Sequence, residues 1–158
     1  METPSGFVKI AGNPYLTTRT VLLITFCLFS LLVITTPGNL LPLVFSIIMI
    51  PVLYFAMGRY MYYFLVSDAQ LITRNHYFWW VTKTYNFSEI TKVTKKLARY
   101  EFGLGRFDVL SVGIKIVTHD SRSKFFAGDS LEKEHWKKLE SIFITKAIPF
   151  EDESSFDK

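Results

Sequence analysis

Residues 20–58 read TVLLITFCLFSLLVITTPGNLLPLVFSIIMIPVLYFAMG, an unbroken apolar block between Arg19 and Arg59 that contains no Asp, Glu, Lys or Arg. A bilayer core about 30 Å thick takes roughly 20 helical residues per crossing, so the block is too long for one span and suits two. Thr36-Pro37-Gly38-Asn39 supplies the turn. The reading is a transmembrane α-hairpin over 17–59, with spans at 17–36 and 40–58. Pro42 lies in the first turn of the second span, where a missing N–H costs little, and Pro51 lies mid-span, where it predicts a kink. With no ionisable group in the block there is no proton or ion path, which argues against transport.

The flanks set an orientation. Lys9 and Arg19 precede the block, Arg59 and Arg74 follow it, and the turn is uncharged, so both termini are expected on the cytoplasmic side of the cell (inner) membrane. Tyr60, Tyr62 and Tyr63 stand where aromatic rings favour the head-group layer. Residues 1–16, with Pro4, Gly6, Gly12 and Pro14, read as a flexible lead and not as a cleaved signal peptide.

Residues 59–148 carry 15 Lys/Arg against 9 Asp/Glu, whereas 149–158 carry one Lys against four acids. A basic excess beside a membrane points to anionic head groups before nucleic acid. The tail at 147–158 is acidic, and the Asp, Glu and Ser content of 151–158 favours disorder. Cys27 is the only cysteine, so neither a disulfide nor a cysteine-based metal site can form within one chain.

After Arg59 the period becomes strand-like. Strands are expected at 62–67 and 71–74 around Asp68-Ala69-Gln70, at 80–87, at 107–110, and at 113–118 and 123–127 around His119-Asp120-Ser121-Arg122. The stretch 90–99 is ambiguous. Ile90, Val93 and Leu97 fit a helix, Thr91, Val93 and Thr94 favour a strand, and strand is the reading taken. A closing helix is expected after a cap at Asp129 or Ser130, with Leu131, His135, Leu139, Ile142 and Phe143 as its apolar stripe, ending before Pro149. The fold class is thus an α+β membrane protein: the hairpin, then at 60–146 an antiparallel sheet folded over itself and plugged by the helix.

Tyr63-Phe64-Leu65-Val66-Ser67-Asp68, then Phe87-Ser88-Glu89-Ile90-Thr91-Lys92-Val93, then Gly113-Ile114-Lys115-Ile116 and a closing helix resemble the bacterial pleckstrin-homology-like (PH-like) domains. The resemblance covers roughly residues 62–143, plus the paired helices by architecture. It implies a bent antiparallel β-barrel of about seven strands capped by a C-terminal helix, used for protein or lipid contacts and sometimes for assembly. It brings no catalytic residues. The paired Lys/Arg pattern that grips inositol phosphates in eukaryotic relatives is not evident.

The chemistry-bearing residues are few. His76, His119 and His135 lack a second ligand at metal-binding spacing, and adjacent His119-Asp120-Ser121 cannot align as a hydrolase relay. Gly103-Leu104-Gly105-Arg106 lacks the ending of a phosphate loop, and Asn86-Phe87-Ser88 matches a glycosylation sequon only for a lumenal domain. Neither enzyme activity nor a cofactor is expected. The candidate contact residues are Lys92, Lys95, Lys96, Arg99 and Arg106, a basic cluster, together with Phe78 and Trp79 in the aromatic run 75–80. Each also has a plainer reading, as a solvated surface and as a half-covered loop. Two functions follow: a membrane-anchored, non-catalytic module contacting the lipid bilayer's anionic head groups or a protein partner, or an accessory subunit packed against another membrane protein. No nucleic acid partner is expected, and either function is compatible with an oligomer.

Overall fold

The computed structural model describes residues 6–34, 40–102, 107–120 and 124–154. The strands are β1 (Val8–Ile10), β2 (Tyr62–Val66), β3 (Gln70–Asn75), β4 (Thr82–Asn86), β5 (Ile90–Phe102), β6 (Phe107–Thr118), β7 (Lys124–Ala127) and β8 (Phe150–Glu153). The helices are α1 (Thr18–Ile34), α2 (Leu40–Gly58) and α3 (Lys133–Thr145).

The strands form two four-stranded sheets, ordered β1-β2-β3-β4 and β7-β6-β5-β8. This corrects the expected barrel. The outer edge of β5 is taken by β8, which pairs with it in parallel, so β5 does not go on to pair with β4 and neither sheet closes. A single bridge between Met61 and Gly128 ties the two layers at one corner. The ambiguous stretch is a strand, and 107–118 is one strand where two had been expected.

One apolar core lies between the layers. Phe64 and Leu71 from the first sheet, Val93, Ile114, Ile116 and Phe126 from the second, and Leu139 and Phe143 from α3 are all at most 2% exposed. Aromatic pairs fill it, with Tyr62 and Tyr85 each meeting Phe126 edge-on. Residues 8–10 of the expected flexible lead are a strand on the edge of the first sheet, because Ile10 has a fully buried place in the core. Gly12 holds the same segment down: an added Cβ there would run into the backbone carbonyl of Ser130. The closing helix is capped later than expected. Glu132 and His135 form a reciprocal capping box, and Trp136, Leu139 and Phe143 make the buried stripe.

The expected membrane-spanning hairpin, and the two-span inner-membrane localisation built on it, are corrected as well. Among the described residues no helix is long and apolar enough to cross a membrane. At ~1.5 Å rise per residue, the 17 residues of α1 extend about 26 Å, short of a hydrocarbon layer of roughly 30 Å.

Candidate docking surfaces

Two surfaces carry unusual side chains: the α1–α2 hairpin with its aromatic base, and the edge of β5.

The hairpin carries large apolar side chains on its outside and two buried serines within. Val21, Leu22, Ile24, Leu28, Phe29 and Leu31 of α1 and Val44, Phe45, Ile47, Ile48, Val52 and Phe55 of α2 are each about half exposed or more, while Ser30 and Ser46 are 4% exposed. In a helix pair made for water the arrangement is the reverse, since buried apolar area contributes about 25 cal/mol per Å² and a buried hydroxyl contributes a cost unless it is bonded. Small residues on the packing face let the two helices approach closely, and the large side chains are left for a partner.

The hairpin is fixed to the body through the loop between β3 and β4. Asn75, 2% exposed, donates from Nδ2 to the Gly58 carbonyl at 2.6 Å. Its Oδ1 accepts from the backbone N–H groups of Tyr77 at 2.8 Å and Phe78 at 2.9 Å. The loop so shaped places the Tyr77 hydroxyl 2.8 Å from that of Thr20 and stacks the Phe78 ring on Phe55, with Tyr54 edge-on to both Tyr77 and Phe78. Gly58 is small because the Phe78 ring lies where its Cβ would be. Phe78 is thus a buried joint between the loop and α2. Trp79, 64% exposed, and Trp80, 61% exposed, are the aromatic residues this loop presents outward. Trp80 was expected to open the strand at 80–87, but that strand begins at Thr82.

The basic cluster is not a free patch. Lys92 pairs with Glu151 at 2.6 Å and Lys95 with Asp152 at 2.7 Å, both acids lying on β8. Lys96 stands opposite Glu153 in the register. Arg99 belongs to the strand beyond the reach of β8, and Arg106 lies outside the described residues. Burial by itself would raise the Asp152 carboxyl, but hydrogen bonds from Lys95 and Ser154 outweigh it and leave the group below the usual carboxylate range.

The remaining candidates are structural. His119 and Asp120 are exposed in a turn, while Ser121 lies outside the described residues. Asn86 of the sequon is bonded to Gln70 and Glu89. No three His, Cys, Asp or Glu side chains converge as a metal site among the described residues. A cleft of about 490 Å³ lies between residues 13–17 and 128–132; its polar lining includes Asp129, which accepts from the Ser111 hydroxyl at 2.6 Å. Comparison of the chain with protein-family models, with curated proteins and with solved structures finds no match.

Proposed function

We propose that this chain is a non-catalytic docking module, an accessory subunit whose α1–α2 hairpin packs among the apolar helices of a protein partner while the two-sheet body holds it in place. One observation carries this reading: a dozen large apolar side chains face outward from the hairpin while its serines are buried. Exposed apolar area of this extent marks an interaction surface. The body supports it, because Asn75 and the Phe55–Phe78 stack fix the hairpin to a packed core. A head-group role for the basic cluster is weaker, since Lys92 and Lys95 already have acidic partners.

The test is purification of the tagged full chain from its native cells in mild detergent, with mass measurement of the eluted species. A stoichiometric complex with one other protein is expected. It should be lost in the variant Phe29→Lys, Ile48→Lys, two positions that face outward, while the far-UV signal of the body is kept. A monodisperse monomer would contradict the proposal. So would retention by pure phosphatidylcholine vesicles with no protein bound, which would put lipid in the partner's place.

A further inference from the structure

We infer that the outer edge of β5 is a strand-addition site for an extended acidic segment, and that β8 is its resident occupant. The inference concerns a face other than the hairpin and goes beyond the docking role. The register is parallel, Val93 with Phe150, Thr94 with Glu151, Lys95 with Asp152 and Lys96 with Glu153, and it begins with the Val93 N–H donating to the Pro149 carbonyl at 2.9 Å. Strand addition takes affinity from main-chain hydrogen bonds and specificity from side-chain pockets. Both are present here. Phe150 stacks on Phe143 with ring centroids 5.9 Å apart, and of the three acids that follow Glu151 pairs with Lys92 and Asp152 with Lys95, while Glu153 stands opposite Lys96 in the register.

The occupant is lightly held. Glu151, Asp152 and Glu153 are exposed, and ion pairs at such positions contribute little each. Among the described residues no further strand covers the outer side of β8. Ala147, at the joint between α3 and β8, adopts φ 56, a left-handed conformation that a residue with a Cβ takes at some cost. A four-residue strand on such a hinge belongs to the low-stability part of a fold, the part that opens first. The site therefore suits a partner segment of the same chemistry, an aromatic residue followed by acids in extended form. An isolated phosphate or head group could meet the lysines but could not supply the backbone ladder.

The probe is a fluorescent peptide with the sequence of residues 148–154, IPFEDES. The full chain should bind it weakly, because the tethered copy competes at an effective concentration on the order of millimolar. The full-length variant Glu151→Lys, Asp152→Lys, Glu153→Lys repels its own β8 from the lysines and should bind the peptide at least about ten-fold more tightly. Adding Lys92→Glu and Lys95→Glu to that variant should abolish binding. The inference is overturned if the triple variant, folded by circular dichroism, takes up no peptide, or if it binds regardless of the charge at Lys92 and Lys95. Should the triple variant not fold, a chain ending at Pro149 replaces it. There, added peptide must raise the melting temperature, and an unchanged melt overturns the inference.

Discussion

The buried side-chain amide of Asn75 donates to the main-chain carbonyl of Gly58 at 2.6 Å, and this bond, with the Phe55–Phe78 stack, joins the last turn of α2 to the loop that carries the exposed tryptophans. The same side chain accepts two backbone N–H groups of that loop. Asn75→Ala would leave the Tyr77 and Phe78 N–H groups without their partner, each an expense of about 1–3 kcal/mol in full and less where water enters, while the Gly58 carbonyl keeps the Met61 N–H. We expect a loss of about 2–4 kcal/mol in denaturant unfolding, and increased hydrogen exchange at Tyr77 and Phe78. Exchange rates equal to wild type at those two amides would show that the loop holds its shape without Asn75.

Tyr85 gives the opposite sign. Its ring is buried in the core against Phe126, its hydroxyl has no hydrogen-bond partner among the described residues, and burial pushes its pKa up to about 12. Removing an unsatisfied buried hydroxyl while keeping the ring should stabilise. Tyr85→Phe is expected to gain about 1 kcal/mol, read as a higher midpoint with an unchanged denaturant slope. A destabilised variant would mean that the hydroxyl is bonded in solution.

His76 makes stability depend on pH. Burial, and then the nearby charge of Lys9, lowers its pKa from 6.5 to about 4. The folded-state value is below the unfolded one, so between those two values the unfolded chain binds the proton and the folded chain does not. Stability therefore falls as pH drops through this window. The ring is partly exposed, so the loss is on the order of 1–2 kcal/mol, less than the full shift would give. Thermal melts from pH 7 to pH 4 measure it, and His76→Leu should flatten the curve in that range. The Asp152 carboxyl, held low by Lys95 and Ser154, acts further down: its contribution is present above the ordinary carboxylate range and is lost at still lower pH.

Ala147 occupies the left-handed position that ends α3. The Ile148 N–H donates to the Phe143 carbonyl and the Ala147 N–H to that of Ile144, the paired bonds of a Schellman cap. Glycine removes the Cβ penalty at this position. Ala147→Gly should stabilise by about 0.5–1 kcal/mol, the conformational gain being partly offset by the freer unfolded chain. Equilibrium unfolding decides, and a loss exceeding 1 kcal/mol would mean that the hinge is not strained.

Much of the fold was legible as local pattern. The helices from Thr18 and Leu40, the alternation of β3, and the turn at 119–120 each follow from residues close together in the chain. The contact residues were legible only in part. Trp79 is exposed and Phe78 next to it is buried, because which of two adjacent aromatics faces inward depends on Asn75 and Gly58. Trp136 was missed as a core residue since a stripe counted from Leu131 passes it by.

The amino-acid order by itself determined where the chain is helical, where it is extended and where charge gathers, since propensity and periodicity are properties of neighbours. Only the tertiary structure decided that Phe150-Glu151-Asp152-Glu153, four residues that read as solvated tail, form a strand. The ladder, ring and cations that hold it belong to β5 and α3, with Asp152 57 residues along the chain from Lys95, and the attraction between such groups exists only once folding has brought them together.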